Sequence, residues 1–201
     1  MTTIHFDNIG FYQTKLSEQE LTFIKKEIND IQNTFNTALP ITMNTSLAGN
    51  IAREYELSSE CKSNITSILL PYLKLYVDNN QSLPDKIEYS LTNAWVNFQK
   101  KHEFNPVHVH YQALSFVIWI KIPYTIENEH NINSVKYSNT PLSGSFSFLY
   151  TDSLGCISQH IIKADIKYEN TLLIFPAKLN HCVYPFYTSD EYRISISGNF
   201  K

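Results

Sequence analysis

Two histidines separated by one residue, His108 and His110, lie at the start of a predicted β-strand. Side chains two positions apart in a strand project from the same face, so both imidazoles can converge on one metal ion. His181 follows a buried apolar run and a Pro-containing turn, and it offers a third imidazole from a remote segment. Each feature also has a structural interpretation without a metal. Histidines on a strand are often hydrogen-bonded surface residues, and His181 can cap its turn through a hydrogen bond. The spacing alone leaves both interpretations open.

Arg193 begins a strand in which it alternates with Ser195 and Ser197 on one face. If that face is interior, the arginine must be paired, because burying an unpaired charge is expensive. The planar guanidinium matches a carboxylate with two hydrogen bonds, and a hydroxyl two residues later can add a third. The other interpretation is an exterior ion pair, for example with Glu191.

The elements that must position these residues are short β-rich runs separated by turn residues. Eight such runs predict a mainly β (α+β) fold of the jelly-roll type, because the helices precede the strands and do not alternate with them. We expect residues 124–141, which are rich in Asn, to form a mobile insertion. The predicted strands cover residues 87–98, 107–109, 113–122, 144–150, 157–162, 171–175, 182–185 and 192–198.

Two amphipathic helices are predicted before the strands. Ser17 and Glu20 have capping-box spacing and start a helix over residues 17–35. A second helix covers 59–77, where Pro71 predicts a kink or a division into two shorter helices. We therefore expect one domain over residues 1–201, in which residues 1–85 give helical support and residues 86–201 form the β core.

The composition and net charge exclude some classes of partner and indicate a cellular compartment. The chain has 201 residues, a formal net charge of -3 and three cysteines. We expect no nucleic-acid partner because no basic cluster is present, and no membrane partner because the longest apolar run, 113–120, is far shorter than the roughly 20 residues of a membrane helix. The odd, unpaired cysteines and the lack of a secretory leader pattern predict a cytoplasmic protein with free thiols.

The order of these motifs resembles the 2-oxoglutarate and Fe(II)-dependent oxygenases, whose double-stranded β-helix carries two histidines, a carboxylate and a distal arginine. The segment 93–200 is most similar to prolyl-hydroxylase-like oxygenases of marine microbes and phages. The resemblance depends on Trp95-Val-Asn97, Asn105-Pro-Val-His-Val-His110, the strand 113–122, Leu173-Ile-Phe-Pro-Ala-Lys-Leu-Asn-His181 and Arg193-Ile-Ser-Ile-Ser-Gly-Asn199. The upstream stretch 47–57 also resembles the corresponding part of those proteins.

The resemblance implies a hydroxylase that uses Fe(II), 2-oxoglutarate and O2 and releases succinate and CO2. His108 and His181 would hold the iron, Arg193 would pair with the distal carboxylate of 2-oxoglutarate, and Ser195 would assist it. Asn97 would reach the cosubstrate or the substrate. The expected substrate is a small molecule or a peptide. Separately from the resemblance, the aromatic content permits a homodimer through the N-terminal helices, but an apolar helix stripe that packs on the β core would look the same.

One position departs from the family pattern, because His110 replaces the usual carboxylate ligand. The leading interpretation is a metal site of three neutral imidazoles, His108, His110 and His181, which leaves the iron complex one unit more positive. In the alternatives, His110 points away and the position is open, or a carboxylate such as Asp152 replaces it.

Two rival functions remain at this point. Three histidines with an open fourth position are also how a zinc hydrolase or lyase holds its catalytic metal. Such an enzyme has no use for a buried, carboxylate-binding Arg193. A jelly-roll binding or virion protein without catalytic activity would bind no cosubstrate and show no metal-dependent turnover.

Overall fold

The computed structural model describes residues 10–35, 47–80 and 89–201, in which two antiparallel sheets face each other. The six-stranded sheet has the order β1-β8-β5-β10-β3-β2 and the four-stranded sheet the order β4-β9-β6-β7. The strands are β1 Tyr12–Lys15, β2 Glu54–Glu56, β3 Leu91–Gln99, β4 Asn105–His108, β5 Leu114–Lys121, β6 Phe146–Thr151, β7 Ile157–Ile162, β8 Thr171–Pro176, β9 Asn180–Val183 and β10 Arg193–Phe200. This is the expected jelly-roll arrangement, a double-stranded β-helix.

Three α-helices accompany the sheets: α1 Glu18–Asn33, α2 Ser59–Asp78 and α3 Ile126–His130. Ser17 and Glu20 form the predicted capping box of α1. Of the two alternatives predicted at Pro71, a division into two shorter helices is wrong, because α2 continues through Pro71 as one helix. Leu69 and Leu73 are buried on either side of Pro71, and their packing stabilises the helix across the missing backbone hydrogen bond.

The large sheet is covered on both faces. On the outer face, buried side chains of α1 and α2, such as Ile24 and Leu69, pack in one apolar cluster with Val96 and Phe98 of β3. The side chains that alternate with these, Trp95 among them, face the space between the two sheets. Because both faces are covered, β3 is buried from Ala94 to Gln99 and still presents polar side chains to the interior.

All eight predicted strands are present, and the structure adds β1 and β2 at opposite edges of the large sheet. These two strands were not predicted, because they are only four and three residues long and show no alternation of apolar and polar residues. The N-terminal part of the chain thus contributes strands as well as helices.

The segment 124–141 differs from the expected mobile insertion. It begins with α3, where Glu129 is fully buried. The Glu129 carboxylate accepts hydrogen bonds from the backbone N–H groups of Tyr187 and Thr188 and from the hydroxyl groups of Thr188 and Ser143. These bonds fasten the start of the segment to the loop before β10.

In the described part of the chain, no helix is long and apolar enough to cross a membrane. Cys61, Cys156 and Cys182 are free thiols, as expected.

Candidate metal centre

Three imidazoles meet between the two sheets. His108 and His181 are paired across β4 and β9, and His110 lies just after the end of β4. Each of the three histidines offers a ring nitrogen, and these atoms all lie within 4.8 Å of one another. The ring centroids are 4.2 Å apart for His108 and His181, and 5.1 and 5.2 Å apart for His110 and these two. One ion can therefore contact all three rings.

The hydrogen bonds of two rings fix which nitrogen is available. Nδ1 of His108 lies 2.8 Å from the carbonyl oxygen of Pro106, and Nδ1 of His181 lies 2.8 Å from that of Leu179. A carbonyl oxygen only accepts, so each Nδ1 carries the proton and donates it. The Nε2 lone pair of both rings is then free for a metal, and the backbone holds the ring orientation.

Burial keeps all three rings neutral. It lowers the pKa of His181 to about 3, with further lowering by the charge of His108. It lowers the pKa of His110 to about 4, again with a smaller effect of His108. The pKa of His108 is also lowered by burial. Since a metal binds only the neutral imidazole, these shifts favour metal binding at neutral pH. Imidazole donors suit Fe, Zn, Cu and Ni.

Asp152, the alternative carboxylate, lies outside this cluster. It accepts hydrogen bonds from the backbone N–H groups of Leu154 and Cys156 and from the hydroxyl of Ser158, within the turn that joins β6 and β7. The structure thus brings His110, and not Asp152, to the other two histidines.

Arg193 lies in the same cavity and is 3% exposed. Its Nε and Nη2 both donate to Oε1 of Gln99, at 3.1 and 2.5 Å. On the opposite side, Nη1 donates to the hydroxyl of Tyr124 at 2.5 Å and to the carbonyl of Gly144 at 3.0 Å. Among the described residues it forms no ion pair. The guanidinium is thus a buried cation with neutral partners, which is the setting that a bound carboxylate would complete.

Asn97 and Ser195 form a polar row between Arg193 and the histidines. They are paired across β3 and β10, as are Trp95 and Ser197. The indole of Trp95 donates to Oδ1 of Asn97 at 3.1 Å, and Nδ2 of Asn97 donates to the hydroxyl groups of Ser195 and Ser197, both at 3.3 Å. The strand alternation therefore places these side chains on the cavity face, as predicted.

Aromatic side chains supply part of the remaining cavity wall. The histidines, Arg193 and the polar row share the cavity with Trp119, Phe146 and Phe175. The volume of this cavity is about 50 Å³.

Three further residues belong to the site and were not predicted from the sequence. Glu54 and Gln99 line the cavity, and Tyr124 accepts a hydrogen bond from Arg193. Gln99 continues the alternation of Trp95 and Asn97, so the strand period could have found it. Tyr124 lies in the segment interpreted as mobile. Glu54 carried no local signal beyond its place in the stretch 47–57.

The fold and the cavity define a class of protein, the double-stranded β-helix metalloenzymes that hold a non-haem metal between two sheets. The chain belongs to a family within this class: residues 93–199 match the family model described as "Putative 2OG-Fe(II) oxygenase". It is thus an oxygenase of the family that depends on 2-oxoglutarate and iron, and no curated protein matches it.

Solved structures share its fold at low sequence identity. A prolyl-4-hydroxylase from Pseudomonas putida has a TM-score of 0.55 and 13% identity, covering 96% of this chain and 92% of that one. A 2OG-Fe(II) oxygenase family oxidoreductase from Burkholderia pseudomallei has a TM-score of 0.55 and 10% identity, covering 96% and 86%. The epimerase SnoN from nogalamycin biosynthesis has a TM-score of 0.59 and 10% identity, covering 96% and 77%.

Proposed function

We propose that this protein hydroxylates a C–H bond of a small molecule or peptide, using Fe(II), 2-oxoglutarate and O2 and releasing succinate and CO2. The observation that carries the proposal is that three neutral imidazoles share one cavity with a buried arginine, which no carboxylate of the described residues pairs with. Structural neighbours include a prolyl-4-hydroxylase and SnoN, which was solved with Fe3+ and alpha ketoglutarate.

In this proposal His108, His110 and His181 hold the iron. The backbone carbonyls behind His108 and His181 keep Nε2 directed at the metal position. Iron held by these residues would supply, with 2-oxoglutarate and O2, the oxidant for hydroxylation. The histidines remain neutral throughout, since burial opposes their protonation.

Arg193 would bind the distal carboxylate of 2-oxoglutarate, and Ser195 and Asn97 would support it. Oε1 of Gln99 now accepts from Nε and Nη2 of Arg193, the edge that carboxylates prefer. Gln99 also lines the cavity, so a cosubstrate carboxylate would replace its amide oxygen. During this exchange the hydroxyl of Tyr124 and the carbonyl of Gly144 would still accept hydrogen bonds from Nη1 and hold the guanidinium in place.

The apolar side chains of the cavity wall serve to exclude water. Trp119, Phe146 and Phe175 are almost fully buried and line the cavity beside the polar row. They exclude water from the metal position, which strengthens the pairing of Arg193 with a carboxylate.

The test is an anaerobic titration of the Fe(II)-loaded protein with 2-oxoglutarate, which follows the weak visible charge-transfer band of keto-acid chelation. Wild type should show the band, and Arg193→Lys, which keeps the charge but loses the planar fork, should need at least tenfold more ligand. Arg53→Lys is the matched control, because Arg53 stacks on Phe35 outside the cavity.

The histidine assignments are tested by metal content. His110→Ala and His181→Ala should each lower Fe(II) affinity, while His160→Ala on the exposed strand β7 should not. A protein that binds iron but shows no band with 2-oxoglutarate would contradict the proposed function.

A further inference from the structure

A second charged residue of the cavity, Glu54, has no role in the function proposed above. It is 0% exposed, and neither carboxylate oxygen has a hydrogen-bond partner among the residues that the structure describes. It lines the same cavity as the three histidines and Arg193. A buried carboxylate with no donor is costly, so its presence at a ligand cavity points to a missing partner.

The sheet register places this carboxylate beside the proposed cosubstrate position. Glu54 on the edge strand β2 is paired with Asn97 on β3, which is paired with Ser195 on β10. Two strand spacings separate β2 from β10, so Glu54 lies roughly 10 Å to the side of Ser195. A molecule could contact Glu54 without displacing a ligand of Arg193.

One side-chain oxygen of Asn105 and one of Glu54 lie close to Gly49. A Cβ atom at Gly49 would lie 2.1 Å from Oδ1 of Asn105 and 3.2 Å from Oε1 of Glu54, so both oxygens pack against this glycine. Oδ1 of Asn105 is also buried, and within the described ranges it has no hydrogen-bond partner. Turning the Asn105 amide over could supply a donor to one carboxylate oxygen and would still leave the other without one.

The charged groups nearby do not pair with Glu54. The guanidinium of Arg53, the next residue, stacks on Phe35 at 4.1 Å. Glu103 accepts hydrogen bonds from the backbone N–H groups of Ala52 and Lys100. Burial raises the pKa of Glu54 to about 7, and the like charge of Glu103 adds to the effect. A cationic partner would reverse this shift by favouring the ionised carboxylate.

We propose that Glu54, with Asn105 beside it, binds a cationic N–H group of the substrate, an ammonium or a guanidinium. A cation with several N–H donors supplies both the charge and the hydrogen bonds that these oxygens lack. That this cation belongs to the substrate rests on the proposed function, whereas cation binding itself does not.

Cation binding is measured by ligand-observed NMR titration of the full chain at pH 8, without metal or 2-oxoglutarate. The probes are n-butylguanidinium and n-butylammonium, with 1-butanol as the neutral probe of similar shape. Wild type should bind at least one cation more tightly than 1-butanol, and Glu54→Gln should weaken that binding at least tenfold while leaving 1-butanol unchanged. Glu56→Gln, two residues along β2 and outside the cavity, should leave all three unchanged.

Wild type that binds neither cation more tightly than 1-butanol would overturn the proposal, as would equal losses in Glu54→Gln and Glu56→Gln. The outcome is separate from the test of the proposed function, because the charge-transfer band with 2-oxoglutarate should persist in Glu54→Gln. A missing band with intact cation binding would reject the oxygenase function alone.

Discussion

Replacing Glu54 by Gln should stabilise the ligand-free protein at alkaline pH. The unfolded chain ionises this carboxyl near 4.5, whereas burial in the folded chain raises its pKa to about 7. As the pH rises from 4.5 to 7, the unfolded state loses a proton that the native state keeps, so the free energy of unfolding falls. Integrated to pH 8, a shift of this size destabilises wild type by about 3 kcal/mol.

Gln has nearly the shape of the protonated carboxyl and does not titrate. Glu54→Gln should therefore exceed wild type in unfolding free energy by about 3 kcal/mol at pH 8 and by roughly 1 kcal/mol at pH 5. For a chain of this size, the difference at pH 8 corresponds to about 6–10 °C in melting temperature.

The assay is urea unfolding of both proteins in the presence of a chelator at the two pH values. Glu56→Gln is the control, because Glu56 forms a surface ion pair with Lys62 and its loss should cost at most about 1 kcal/mol at either pH. A Glu54→Gln protein that is less stable than wild type at pH 8, or whose advantage is the same at both pH values, would refute the reasoning.

Two further expectations concern the site and the sheet. The metal-free Glu54→Gln protein, in which residue 54 does not titrate, should lose several kcal/mol of stability as the pH falls from 7 to 4.5, because the unfolded chain protonates its histidines near 6.5 while burial lowers the pKa of His110 to about 4 and of His181 to about 3. Urea unfolding in the Glu54→Gln background isolates this effect, and a flat profile would contradict it. Gly198→Ala should cost about 1–3 kcal/mol, since its Cβ would lie 2.6 Å from the backbone oxygen of Asn93. Gly10→Ala, whose Cβ meets nothing within 4 Å, should change the denaturation midpoint far less.

The β core was predictable because its signals are local. Strand alternation in β10 places Arg193, Ser195 and Ser197 on the cavity face, and each of the eight predicted runs corresponds to a strand. The convergence of His108, His110 and His181 was expected only from the family resemblance. The structure adds the physical reason, which is the pairing of β4 with β9.

What the sequence did not predict depends on contacts between distant segments. β2 is three residues long, and only its pairing with β3 brings Glu54 into the cavity. Tyr124 reaches Arg193 because the buried Glu129 fastens the start of the segment interpreted as mobile. No local periodicity encodes either contact.

Arg193 and Glu54 carry opposite charges on one face of the same sheet, and the structure explains why they do not neutralise each other. Asn97 and Gln99 of β3 lie between them, and their polar groups are already engaged with Ser195 and Arg193. Arg193 lies two residues along β10 from Ser195, so the register separates Glu54 and Arg193 by roughly 12 Å. At this distance and an effective dielectric constant of about 20, the attraction between the two charges is only about 1.4 kcal/mol. That is less than the cost of burying either charge unpaired. Each charge therefore needs a direct partner, and the cavity suits a carboxylate on the β10 side together with a cation on the β2 side.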